Sequence, residues 1–180
     1  MRLKKKLSFH FFAEIKRFLT TFLSSKHKGV FMSNRRTLSQ EEADRLLNMI
    51  KHSLEKQITF PSRGDSIEFD LVGDSDRDLF TARIFHGKIN PQKYNLGARI
   101  KKDGIVLLEL HINPSNKHYN PDGQIITGSH WHIYTEKYGR SYAFPAEDIH
   151  SEYFVENTIL FLQKFNVIEI PEILYQRELM

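Results

Sequence analysis

Residues 94–113 read YNLGARIKKDGIVLLELHIN, and the alternation in this stretch decides the fold class. Tyr94, Leu96, Ala98 and Ile100 alternate with Asn95, Gly97, Arg99 and Lys101, the period-two pattern of a strand with one buried face. Lys102-Asp103-Gly104 is a tight-turn signal, and Ile105–Asn113 returns as a second strand. In it Val106, Leu108, Leu110 and Ile112 share the side expected to be buried, leaving Glu109, His111 and Asn113 on the other. Pairing the two strands brings Arg99 and Lys101 onto that open side.

Further strands are written on both flanks. Ile67, Phe69 and Leu71 alternate with acids, residues 79–86 (LFTARIFH) follow, and His130–Glu136 and Arg140–Phe144 form a hairpin across Lys137-Tyr138-Gly139. Ahead of them Ser39-Gln40-Glu41-Glu42 is a capping box, with Leu38 and Ala43 as its hydrophobic staple. Ala43, Leu46, Leu47, Ile50 and Leu54 predict a helix over about 39–56. Phe154, Thr158, Phe161, Leu162 and Phe165 predict another over 151–165, and Ile168-Glu169-Ile170-Pro171 a last extended piece. The expected fold is α+β: an antiparallel sheet of four to six strands with an N-terminal and a C-terminal helix on one face.

Composition sets the class. With 180 residues, 40% hydrophobic and 27% charged, wholesale disorder, a coiled coil and a membrane bundle are excluded. The absence of cysteine removes disulfides, thiolate zinc sites and a Cys nucleophile; a reducing cytoplasm is the expected location. Residues 1–31 hold eight Lys/Arg against the single acid Glu14, a net +7, so the net +4 of the chain leaves −3 for residues 32–180. The basicity belongs to this leader, and a basic domain surface for nucleic acid does not follow from it. Leu7, Phe11, Ile15, Phe18 and Phe22 give the leader an amphipathic helical stripe, suited to an anionic membrane surface or to docking on the domain. The competing expectation is that Met32 is the true initiator, with 1–31 a disordered or non-native addition to a single domain of residues 32–180.

Chemistry concentrates in one region. His111, His118, His130 and His132 fall within 22 positions, and strand phase puts His130, His132, Tyr134 and Glu136 on the side opposite Trp131 and Ile133. The open face should therefore gather His, Arg, Glu, Asn and Tyr. The connection PSNKHYNPDGQIITGS (114–129) is longer than a compact domain usually tolerates without purpose. Its Asn120-Pro121-Asp122-Gly123 reads as a type I turn, and the segment is expected to hold His118 or Asp122 over the His130/His132 strand. Gly-rich phosphate loops and a GxSxG elbow are absent. Asp74, Asp76 and Asp78 lack the Gly and Glu of a calcium loop and read as a turn.

Three chemistries suit this set. Metal-free RNA cleavage by 2′-hydroxyl attack needs a base, an acid and a cation for phosphate. In that reading His132 or His130 is base or acid and His111 the complementary group. Arg99 and Arg140 bind phosphate, Lys101, Asn113, His118, Asn120, Asp122 and Tyr134 line the substrate, and no cofactor is needed. A non-enzymatic module would instead offer the same face to a protein partner. A metal enzyme would use His130, His132 and Glu136, whose H-x-H-x3-E spacing is that of a cupin's first ligand motif, although no second His motif follows.

Asn120-Pro121-Asp122-Gly123, Gly128-Ser129-His130-Trp131-His132-Ile133-Tyr134 and Tyr138-Gly139-Arg140-Ser141-Tyr142-Ala143-Phe144-Pro145 together resemble an uncharacterised family of small proteins from Gram-positive bacteria and their mobile elements. Its pattern runs NPDG, PGxHxHIY, then YG with an aromatic-Ala-x-Pro; Ser129 stands here where Pro is expected. The likeness covers about residues 38–171. It implies that the leader is an addition, that His130 and His132 lie in the most distinctive segment, and that a toxin-like ribonuclease or an inhibitor-type partner protein is the class to expect.

Overall fold

The computed structural model describes residues 36–175; the leader and its amphipathic stripe lie outside them. Helix α1 (Gln40–Asn48) starts where the capping box places it: Ser39 Oγ accepts from Glu42 N at 3.1 Å, and Glu41 and Glu42 occupy the positive first turn. Leu38, Ala43, Leu46 and Leu47 are buried.

The predicted continuation of this helix to residue 56 is corrected. After Met49 the chain turns extended and enters β1 (Lys51–Ser53), leaving Ile50 and Leu54 exposed. The cause is Lys51, fully buried. Its Nζ donates to the carbonyls of Met49 (2.8 Å), Phe165 (3.0 Å) and Leu47 (3.3 Å) and sits 4.1 Å from the Phe165 ring centroid. The lysine thus caps the carbonyl ends of both helices.

Strand β2 (Gln57–Thr59) precedes a meander of β3 (Ser66–Val72), β4 (Leu79–His86), β5 (Tyr94–Ile100) and β6 (Val106–Ile112). A short ribbon, β7 (His118–Tyr119) with β8 (Ile125–Ile126), interrupts the chain before β9 (His130–Ile133) pairs antiparallel with β6, and β10 (Ala143–Pro145) with β9. Helix α2 (Phe154–Lys164) and strands β11 (Val167–Glu169) and β12 (Glu172–Leu174) complete the chain. The main sheet has eight strands in the order β10-β9-β6-β5-β4-β3-β1-β11, wider than the four to six expected, and β11 lies parallel to β1. A second small sheet pairs β12 parallel with β2. The α+β class holds. The extra width comes from three-residue edge strands, too short to carry a periodic signal.

One sheet face is apolar: Phe69, Phe80, Ile84, Leu96, Leu110, Ile112 and Trp131 are buried. Helix α2 lies over it, with Phe161 stacked on Trp131 at 6.2 Å, Phe165 against Phe80 at 5.5 Å, and Asn157 Nδ2 donating to Tyr94 Oη at 2.6 Å. Each large side chain removed from water contributes about 1.5–3 kcal/mol. Leu96↔Leu110 and Asn95↔His111 are register pairs, so the open-face assignment of His111 stands. A register shift sets Arg99 opposite Val106, leaving Leu107 as the extra residue of a bulge; Val106 therefore departs from the phase expected of it. Among the described residues no helix is long and apolar enough to cross a membrane.

Candidate metal centre

The open face of β6 and β9 carries the histidines together. His111 faces His130 in the register, and Glu109 faces His132. One ligand nitrogen from each of His111, His130 and His132 lies within 4.8 Å of the others. Ring centroids are 5.1 Å apart for His111–His130, 4.7 Å for His111–His132 and 5.0 Å for His130–His132.

The face is not open at this point. Residues 114–129 fold over it as a strap, leaving His130 and His132 only 2% and 5% exposed. Asn120-Pro121-Asp122-Gly123 makes the expected turn, with Gly123 N on Asn120 O at 2.9 Å and Gly123 at φ 90°. Asn113 N donates to Ser129 Oγ at 3.1 Å, pinning the two ends of the strap together. Buried Asn120 bonds Ala143 twice, Nδ2 to its carbonyl at 2.9 Å and Oδ1 from its N–H at 2.7 Å. His118, on β7, brings its ring within 4.8 Å of His132 and 5.4 Å of His130. Of the two residues expected over the strand, His118 is there; Asp122 is instead turned to Tyr142, whose hydroxyl donates to it at 2.8 Å.

The orientation of the rings is set by main-chain carbonyls. His130 Nδ1 donates to Gly128 O and His132 Nδ1 to Arg140 O, both at 2.8 Å. A carbonyl only accepts, so each Nδ1 carries the proton and each Nε2 is a bare lone pair. His132 Nε2 is buried and has no hydrogen-bond partner. An orphaned acceptor of this kind in a polar cluster requires an explanation.

Burial, then the neighbouring His111 and His130, pushes the His132 imidazole down to about 3. Burial, then His130 and Arg140, pushes His111 down to about 4. Burial lowers His130 as well, against its bond to Gly128. Each of these shifts favours the neutral imidazole, the form that binds metal ions. Glu109 lies beside the histidines with its side chain 17% exposed and both carboxylate oxygens 3.0 Å from Arg140 Nη1. Burial raises its pKa, and Arg140 opposes the rise.

Several expected site residues lie elsewhere. Arg99 donates both Nη atoms to Glu68 (2.8 and 3.0 Å) and Lys101 is paired with Asp70, so both are held away from the histidines. Tyr134 is corrected: it is buried towards α1, its hydroxyl accepting from Leu38 N at 2.9 Å. Glu136 is corrected as a metal ligand, because its carboxylate accepts from Gln40 N at 3.1 Å. Both errors have one cause: β9 ends at Ile133, and alternation no longer applies beyond it. The third group beside His130 and His132 is His111.

Arg140 is beside the cluster, and Asn113 and Asn120 shape the strap. The anchoring carbonyls of Gly128 and Arg140 had no side-chain signature to find. Glu109 shares the parity of His111, which was the available signal. A shallow groove lined by Arg83, Phe85, Asn95, Leu96, Gly97 and Glu109 adjoins the centre on its β5 side; Gly97, facing Glu109 in the register, puts no side chain there.

No curated protein and no solved structure matches the chain. A family model does match, over residues 38–167, which take in helix α1, strands β1 to β10, the strap and helix α2 and end at the first residue of β11. The chain belongs to the family of unknown function DUF6978.

Proposed function

We propose that this protein is a divalent-metal enzyme whose ion is held by His111, His130 and His132. The observation that carries the reading is the convergence of three imidazole nitrogens within 4.8 Å, with the buried His132 Nε2 lacking any hydrogen-bond partner. Imidazoles whose other nitrogen is tied to a carbonyl are oriented as metal-binding histidines usually are. An all-nitrogen set of this kind suits zinc and its neighbours in the first transition row. Three neutral ligands leave the ion its full positive charge, which favours lowering the pKa of a bound water and hence hydrolysis.

The metal-free RNA-cleaving alternative retains Arg140 beside the histidines. It is the weaker reading because Arg99 and Lys101 are engaged by Glu68 and Asp70. It also needs an imidazolium as general acid, and burial opposes that form at these positions.

The test is metal titration of the chelator-treated protein with zinc, followed by elemental analysis after gel filtration. One retained equivalent is expected, and none in the His111→Ala/His132→Ala variant. A wild-type protein that retains no zinc, cobalt or manganese overturns the reading. RNA and activated-ester hydrolysis, with and without chelator, then separates the alternatives: turnover that survives chelation favours metal-free cleavage.

A further inference from the structure

Four imidazoles, not three, are gathered at this point, and the fourth comes from the strap. We propose that His118 is an additional protein ligand to the same ion, closing the centre into a four-imidazole site that opens only when the strap releases it. The inference rests on the metal reading above and concerns how that site is regulated.

Two imidazoles bound tetrahedrally to one ion at about 2.0–2.1 Å place their ring centroids roughly 5 Å apart. The spacings within His111, His130 and His132 run from 4.7 to 5.1 Å, and His118 adds 4.8 Å to His132 and 5.4 Å to His130. Edge-to-face aromatic pairs also occur at such distances, so spacing alone does not decide the point.

The hydrogen bonds point the same way. His118 Nε2 lies 3.1 Å from the Ser141 carbonyl, which leaves Nδ1 as its bare nitrogen. Like His130 and His132, it has one nitrogen spent on a main-chain oxygen and the other unspent. Moreover, the carbonyls that hold His132 and His118 belong to consecutive residues, Arg140 and Ser141. One short piece of the β9–β10 connection thus sets two rings at once.

His118 differs from the other three in where it is carried. His111, His130 and His132 stand on the main sheet, whereas His118 stands on a ribbon of two residues per strand that is paired only with itself. It is the member of the four that stands off the main sheet. With it bound, the position a water or substrate would need is filled; with it withdrawn, three imidazoles and an open position remain.

The experiment uses the full chain loaded with cobalt(II), whose visible absorption reports coordination number, together with zinc affinity by competition against a chromophoric chelator. Wild type is expected to give the intense bands of a four-coordinate ion. His118→Ala, in which water takes the vacated position, is expected to shift the band positions away from those of wild type and to lose roughly tenfold or more of zinc affinity, with added imidazole restoring the wild-type spectrum. His118→Gln, which preserves bulk on the strap, is expected to behave as His118→Ala does, and near-ultraviolet circular dichroism of Trp131 reports whether each variant is folded. If folded His118 variants match wild type in both spectrum and affinity, the fourth-ligand proposal falls while the three-histidine centre stands. If wild type binds no cobalt or zinc, the underlying metal reading falls, and this proposal with it.

Discussion

His132 and Arg140 are joined through the main chain: the imidazole Nδ1 donates to the Arg140 carbonyl at 2.8 Å. The same residue sends its guanidinium to Glu109 at 3.0 Å. Arg140 therefore orients one member of the centre with its backbone and holds a neighbouring carboxylate with its side chain. Replacing the side chain separates the two roles. Arg140→Ala is expected to leave zinc stoichiometry intact, because the carbonyl stays, while releasing Glu109. Affinity should change by less than about tenfold, whereas His132→Gln should reduce it by about 100-fold or more. Isothermal titration calorimetry on the two variants checks the contrast.

Metal should stabilise the fold by mass action. Free zinc at about 100 times its dissociation constant is expected to add roughly 2.7 kcal/mol, raising the thermal midpoint of wild type and reversing with chelator. A scan of the His111→Ala/His132→Ala variant should show no zinc-dependent rise.

The metal-free protein should lose stability on acidification. Folding lowers His111 from its ordinary 6.5 to about 4 and His132 to about 3. As pH falls below about 6.5 the unfolded chain takes up protons that the folded chain refuses, so stability decreases from there down towards the folded values. Above 6.5 these two groups contribute no pH dependence. Urea midpoints in chelator at pH 7.5 and 5 should therefore differ by less in His132→Gln than in wild type.

Lys51→Met removes the Nζ donor from the Leu47, Met49 and Phe165 carbonyls. Methionine comes close to its volume while lacking the terminal amine, so the loss is mainly of hydrogen bonds. A destabilisation of about 2–4 kcal/mol is expected from leaving buried carbonyls unpaired, measured by urea unfolding. A change within 0.5 kcal/mol would mean that water replaces the lost amine, a figure at the scale of neutral surface substitutions.

Much of the centre was legible because strand parity is a strong constraint. Once Leu110 and Ile112 are assigned inward, His111 has no choice of face, and Trp131 does the same for His130 and His132. The length of the 114–129 connection marked it as a cover, and His118 was correctly placed over the strand. The failures occur where parity stops. Tyr134 and Glu136 follow the end of β9, and Leu107 sits in a bulge. The end of α1 was hidden for a different reason. A lysine in a helical pattern reads as surface, and nothing local announces that Lys51 is to be swallowed between two helix ends. Main-chain anchors such as Gly128 O and Arg140 O carry no side-chain signature at all.

The double bond between Asn120 and Ala143 also bears on how the molecule meets its own kind. β10 is the terminal strand on the site side of the main sheet, and its outward N–H and C=O at Ala143 are the groups a foreign strand would seize. The Asn120 amide occupies both, imitating the next strand with a single side chain. The strap thereby guards the border of the sheet against edge-to-edge self-association, so that an unfastened strap would expose a sticky margin as well as the histidines.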